Sequence, residues 1–311
     1  AEGVEVAEPG DAVVPAQLFA GVLREIADES VTVAVEKQKM TLDTDGGFFE
    51  LECEDPAQYP EIPEFPSDST CLIGAEDLRS LVRKTVFAAG REAARYVLNG
   101  VNVMVDGGNL RFVATDGRRL ATLARPIEPA EAASPESGHA IVGVKGLQHF
   151  ERVAAGVEGS VSLAIAKRFV ALRTEKAEVT VRVMDGTFPE YQQIVPDETP
   201  SEAVASVTLF ASKLRQASRF ASLESQAVRV TFKRGELEIA AAGGDGRASV
   251  RMEVDFDGAE EMIGFNPQFL LDALKVVDGE SVRIGFSTRN AAAKLGDDSG
   301  FLYVVMPVMI D

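Results

Sequence analysis

An α+β fold of repeated helix-plus-sheet units is the class this sequence predicts, on three observations. Short runs alternate apolar and polar residues at strand period: Val31, Val33 and Val35; Val161, Leu163 and Ile165; Val179, Val181 and Val183; Val228, Val230 and Phe232. Between them lie amphipathic stretches at helical period, each short enough for a packed surface helix. Both kinds of segment recur in two alternating patterns. One starts at Asp11, His139 and Glu261, and aligning Ser30-Val31, Ser160-Val161 and Ser281-Val282 brings Leu23, Val153 and Leu274 into register and Arg24 onto Lys275. The other starts at Cys71 and Ser206, and aligning Leu78 on Leu214 places Arg79 on Arg215 and Arg83 on Arg219.

Taken in order, the three-copy and two-copy patterns alternate, from Asp11 through Cys71, His139 and Ser206 to Glu261, and the three-copy pattern reads as the later part of each pair. This is the order of three two-part domains with the first part of the first one absent, and the chain lacks an initial Met. The expectation is therefore a piece of a longer protein, with the later half of domain one at 1–67, domain two at 68–193 and domain three at 194–311. Proline-rich connectors mark the joins: Tyr59-Pro-Glu-Ile-Pro-Glu-Phe-Pro66 and Phe188-Pro-Glu-Tyr191 through Pro196 to Pro200. Proline fixes φ and lacks a backbone donor, so such stretches suit extended links between sheets. A further Pro-, Ala- and Glu-rich loop, 126–138, joins the two halves of domain two.

Within domain two, Ala75–Ala89 reads as a helix with Leu78, Leu81, Val82 and Thr85 on one face and Arg79 and Arg83 off it. The stretch from Arg95 to Pro126 then reads as antiparallel strands with tight turns. Val101, Val103 and Val105 alternate, Asp106-Gly-Gly-Asn109 turns the chain, and Leu110 to Ala114 resumes it. A second turn, Thr115-Asp-Gly-Arg-Arg-Leu120, needs Gly117 for its backbone. The two arginines and the exposed-looking Leu120 that follow are not required by any turn.

Composition narrows the function. Forty-nine acids against 31 bases give a net charge of −18, so the surface as a whole repels polyanions and membranes. No apolar run approaches the roughly 18–20 residues of a membrane span, and no signal peptide is visible in the acidic first residues. The two cysteines, Cys53 and Cys71, read as reduced thiols of a cytoplasmic protein rather than a disulfide framework. Against this background the recurring basic pairs stand out: they put positive charge at matching places on repeated helices, as a channel for a polyanion would. Arg24, Lys84, Arg152 and Lys275 extend the pattern. Binding of such a chain to nucleic acid should be weak and salt-sensitive.

Chemistry is hard to find. His139 and His149 sit in no metal-binding spacing, so no metal and no cofactor are expected. The Gly-rich stretches Thr44–Gly47, Asp106–Asn109 and Gly243–Gly246 lie between strands and read as hairpin turns. On the residues alone, two other readings stay open. One is an enzyme using Asp116 or another carboxylate. The other is an acidic scaffold that binds protein peptides but never DNA, which differs by whether the helix arginines share a face.

The segments Tyr96-Val-Leu-Asn-Gly100, Ala114-Thr-Asp-Gly-Arg-Arg-Leu-Ala121, Phe188-Pro-Glu-Tyr191, Ile194-Val-Pro196, Ile263-Gly-Phe-Asn266 and Tyr303-Val-Val-Met-Pro307 closely resemble the signature of the bacterial DNA polymerase III sliding clamp (beta subunit). The resemblance covers essentially the whole chain. It implies a DNA-clamp fold of three similar domains per subunit, two subunits joined head to tail into a ring when full length, and no catalysis. It implies duplex DNA, bound without sequence preference, as one partner. The replicative polymerase subunit, the clamp loader and other proteins bearing clamp-binding motifs are implied as the rest. Carried over by motif, the peptide pocket would comprise Leu98, Thr115, Gly117, Arg119, Leu120, Pro196, Val304 and Met306. The DNA-facing set would be Arg24, Arg79, Arg83, Lys84, Arg152, Arg215, Arg219 and Lys275. Two departures stand out: Arg118 occupies a place where the family often has His, and Met309 one where it has Arg.

Overall fold

The computed structural model describes residues 4–61, 63–66, 70–91, 93–129, 138–222 and 227–310. The chain divides into two compact units, Ala1–Glu64 and Phe65–Asp311.

In the first unit, helix α1 (Ala16–Glu25) precedes an antiparallel sheet of β1 (Thr32–Glu36), β2 (Lys39–Asp43) and β3 (Phe48–Glu52). The register sets Val33 against Leu42 and Val35 against Met40, with Met40 against Leu51. Met40, Leu42, Leu51 and Cys53 form the core, and Phe19 and Val22 of α1 pack onto it. The Val31-Val33-Val35 alternation makes the expected strand without burying it: every residue of β1 is exposed. β1 is an edge strand, so only one neighbour shields it.

The second unit contains two copies of a longer repeat. The first copy runs β4 (Thr70–Gly74), α2 (Ala75–Thr85), β5 (Gly100–Asp106), β6 (Asn109–Thr115), β7 (Arg119–Pro126), β8 (Glu128–Pro129), β9 (Gly138–Gly143), α3 (Val144–Ala154), β10 (Ser160–Ile165), β11 (Phe169–Arg173) and β12 (Glu178–Arg182). The second runs β13 (Ser201–Ser206), α4 (Val207–Ser218), β14 (Val228–Lys233), β15 (Glu236–Gly243), β16 (Gly246–Glu253), β17 (Glu261–Phe265), α5 (Pro267–Leu274), β18 (Ser281–Phe286), β19 (Ala293–Gly296) and β20 (Leu302–Val305).

The sheet orders make the repeat explicit. β12-β11-β10-β4 has the connectivity of β20-β19-β18-β13, and β7-β6-β5-β9 that of β16-β15-β14-β17. The first unit's α1-β1-β2-β3 has the element order of α3-β10-β11-β12. Two of the four-stranded groups fuse into one eight-stranded sheet, β13-β18-β19-β20-β7-β6-β5-β9. The join is an antiparallel ladder in which Val304 faces Leu120 and Val305 faces Arg119. One continuous core lies between sheets and helices, with Leu78, Leu81 and Val82 from α2, Phe150 from α3, Leu214 from α4 and Leu270 from α5. Each such side chain contributes about 1.5–3 kcal/mol by leaving water.

The backbone departs from the sequence reading in two places. The helix expected over Ala75–Ala89 ends at Thr85 and tightens into a 3-10 turn, Val86–Ala88. The start of the stretch read as strand, Arg95–Asn99, falls within a further 3-10 segment, Ala93–Asn99, and the ladder starts only at Gly100. Residues 130–137 of the Pro- and Glu-rich loop lie outside the described residues, as does the boundary at 67/68.

Candidate functional site

The Thr115–Arg119 turn is fastened by its own polar atoms. Thr115 Oγ1 accepts from the Gly117 amide (3.0 Å) and donates to the Arg119 carbonyl (2.6 Å). Asp116 Oδ1 accepts from the amides of Arg118 (2.9 Å) and Arg119 (3.1 Å). Gly117 sits at φ +88°, a conformation that strains any residue with a Cβ.

Arg119 leaves this turn as a tie between distant parts of the chain. Its Nε donates to Asp116 Oδ2 (3.0 Å), Nη1 to Asp272 Oδ2 on α5 (2.9 Å) and Nη2 to the Phe87 carbonyl (2.8 Å). The guanidinium also lies 4.5 Å from the ring centre of Phe269. Burial opposes its charge, but Asp272, Tyr303 and Asp116 more than restore it and hold its pKa above the ordinary value. At Asp272 burial pushes the carboxyl up, and the hydrogen bonds from Arg119, Lys275 and Gln268 outweigh it and leave the pKa lowered.

Leu120, read as exposed, is 1% exposed. It pairs with Val304 across the β7–β20 ladder, and both pack with Val113, Ile141 and Phe188. A single strand in the sequence could not reveal the connector residues Phe188, Tyr191 and Val195 that cover this sheet face. Pro196, half-buried, follows Val195. Met306 is 41% exposed, and its amide donates to the Arg118 carbonyl (2.9 Å). A cavity of about 470 Å³ opens beside the turn, lined by Leu98, Asp116, Arg118, Arg119, Gln268 and Phe269 among others. The structure therefore gathers Leu98, Thr115, Gly117, Arg119, Leu120, Val304 and Met306 into one neighbourhood. Sequence reasoning missed Phe269 and Asp272, whose tie to Arg119 spans 153 positions.

The matches to known proteins fall on this same fold. Residues 73–190 match the model of the DNA polymerase III beta subunit, central domain, and residues 192–309 that of its C-terminal domain. The beta sliding clamp of Pseudomonas putida is 30% identical over 98% of this chain and 84% of its own length. That of Pseudomonas aeruginosa is 31% identical over the same shares. The chain belongs to the DNA polymerase III beta subunit family, the sliding clamps. A crystal structure of the Pseudomonas aeruginosa beta subunit superposes with a TM-score of 0.92 at 28% identity, over 99% of this chain and 85% of that one.

In this clamp the basic residues divide into distinct groups. Arg215 and Arg219 on and just after α4 are exposed, as are Arg24 on α1 and Arg152 on α3. Arg79 and Arg83 on α2 share one carboxylate, Glu76, at 2.5 and 3.6 Å. Lys275 is exposed but paired with Asp272 (3.0 Å). Lys84 corrects its assignment as DNA-facing. It is fully buried, pairs with Asp278 (2.7 Å) and Asp297 (2.8 Å), donates to Ser299 Oγ (2.7 Å) and lies over the Phe301 ring. A lysine one position beyond Arg83 on a helix turns toward the core side, where the second copy of the repeat supplies its anions.

Among the described residues no cluster of three or more His, Cys, Asp or Glu is placed to hold a metal, and no helix is long and apolar enough to cross a membrane. Both thiols are buried. Burial pushes Cys71 up to about 11, so it is a poor nucleophile.

Proposed function

We propose that this clamp encloses duplex DNA without reading its sequence and holds other replication proteins through a peptide site at the Thr115–Leu120 turn. The partners at that site are a replicative polymerase subunit, the clamp loader and further motif-bearing proteins. The clamp does no chemistry of its own and works in the cytoplasm. The observation that carries the peptide site is the half-exposed Met306 held against the Arg118 carbonyl, beside a cavity lined by Leu98 and Phe269. Adaptable and aromatic apolar groups with a few fixed polar ones are what a short peptide anchor needs. For DNA, the exposed Arg215 and Arg219 supply phosphate contacts, which position a duplex without specifying sequence.

Two copies would join head to tail. By the alignment of Leu78 on Leu214, Lys84 corresponds to Phe220, which is 40% exposed. Its acceptors Asp278 and Asp297 correspond to Ala27, from the Ser30 and Ser281 alignment, and to Thr44, from the matching registers Val33–Leu42 and Ile284–Leu295. Ala27 and Thr44 both line a cavity of about 650 Å³ in the first unit, with Leu18, Val22, Ile26 and Phe49. Phe220 of one copy would therefore fill that groove of the next, as Lys84 fills its place within the chain.

The test of the peptide site is calorimetric titration of a Gln-x-x-Leu-Phe peptide, the form of ligand that the resemblance to the sliding clamps implies. Burying its Leu and Phe contributes about 1.5–3 kcal/mol each, ordering takes part of it back, and micromolar affinity, about −8 kcal/mol, is expected. Met306→Ala should weaken binding by about tenfold. Equal affinity would put the site elsewhere.

A further inference from the structure

The motif Ile263-Gly-Phe-Asn266 has a part unexplained by the fold. Asn266 caps α5, its Oδ1 accepting from the Gln268 amide (2.9 Å), and Ile263 and Phe265 are buried in the core. Gly264 stands between them on β17, an edge strand of its sheet. Its φ does not demand glycine; its surroundings do. After β20 the chain continues as a strap, Met306–Ile310, moored at two points. The Met306 amide donates to the Arg118 carbonyl (2.9 Å) and the Val308 amide to the Gly264 carbonyl (2.8 Å). A Cβ on Gly264 would collide with the Val308 carbonyl oxygen and the Ile310 side chain.

One mooring, at Arg118, is on a residue that lines the cavity beside the turn; the other, at Gly264, is on the strand that leads into Gln268 and Phe269, which also line it. We propose that Gly264 is a positioning residue for peptide binding: by leaving room for the strap it holds Met306 against the Arg118 turn that borders the cavity. This rests on the peptide-site reading above. Any side chain at 264 lifts the strap from β17, frees the Val308 amide and lets Arg118 and Met306 drift, while Ile263 and Phe265 keep the sheet in place.

The experiment compares the full chain, Gly264→Ala, a chain stopped after Pro307, and that stopped chain carrying Gly264→Ala. Hydrogen exchange of the Met306 and Val308 amides reads the strap where it is present, and titration with the Gln-x-x-Leu-Phe peptide reads the cavity. In the full chain Gly264→Ala should speed exchange at both amides and weaken the peptide by about tenfold. The thermal midpoint should stay within about 2–4 °C. Stopping the chain should weaken the peptide similarly, and Gly264→Ala should then add nothing. Unchanged exchange in Gly264→Ala, or the same further loss in the stopped chain, overturns the inference. A wild-type chain that does not bind the peptide overturns the peptide-site reading itself, whatever the strap does.

Discussion

Helices α2 and α4 hold the same place in two copies of one repeat, and the chain at their C-terminal ends is built on opposite principles. On α2 the aligned position is Lys84, a fully buried charge gripped by Asp278, Asp297 and Ser299 of the next copy. Just beyond α4 it is Phe220, a large apolar side chain left 40% exposed. The basic pairs differ too: Arg79 and Arg83 are tied to Glu76, whereas Ser212 stands in the position of Glu76 beside Arg215 and Arg219. In the head-to-tail arrangement proposed above, one position of one repeat would serve two joints. Where the neighbouring copy is covalently attached and always present, a buried ion pair is tolerable because its partners are supplied at every folding event. Where no neighbour is guaranteed, an unpaired lysine facing a partner's groove would be desolvated without compensation, and an aromatic ring is the safer surface.

The largest expected effect follows from removing the buried cation. Lys84→Met leaves Asp297 buried without its counter-charge and should cost about 3–5 kcal/mol in urea unfolding. A loss below about 1 kcal/mol would mean the network is idle.

That penalty should depend on pH, with a sign fixed by Asp297. In the wild type, burial pushes the Asp297 carboxyl up, but Lys84, Ser299 and the Asp278 amide outweigh it and its pKa is lowered. Its contribution is full above the ordinary carboxylate value and is lost as pH falls through the lowered folded value. Without Lys84 burial prevails, and a raised carboxyl is least costly in acid. The stability gap between wild type and Lys84→Met should therefore narrow as pH falls from neutrality toward about 4. A gap that widens would contradict the assignment of the buried charge.

At the other joint, Phe220→Asp should change the stability of the single chain by no more than about 0.5 kcal/mol, as a surface replacement. It should nonetheless abolish association measured by light scattering. Association that survives the change would show that the two joints are not equivalent.

The smallest effects separate the arginine pairs. Reversing Arg215 and Arg219 to Glu should lower retention on circular DNA more than reversing Arg79 and Arg83, whose charge is partly spent on Glu76. Each lost phosphate contact should lower the salt slope of direct binding by about one unit. Glu76→Gln should raise the α2 pair toward the α4 pair. Identical responses from both pairs would mean that the shared carboxylate does not matter.

Much of this architecture was legible before any coordinates. Period-2 runs and the Ser-Val alignment located the repeats because a repeat must carry its own core face in its own sequence. The Thr115–Leu120 turn was legible because a tight turn is written in adjacent residues. What was not legible depended on partners far along the chain. Lys84 looks like part of a basic helix face, and the carboxylate that buries it lies 213 positions away. Leu120 follows two arginines and looks exposed, yet the connector at Phe188 and the strand at Val304 enclose it. Replacing it with Asp would thus damage the core, and Met306 is the cleaner probe of the site.

The ladder that joins β7 to β20 also governs how the molecule comes apart. Because the two long repeats share one sheet and one core, neither can melt while leaving the other's strands paired. Among the described residues the first unit buries Met40, Leu42, Leu51 and Cys53 as its core, and so small a core is marginal on its own. Calorimetry should resolve a small, early heat-absorption peak for residues up to Glu64, then a single later one in which everything from Phe65 onward melts cooperatively.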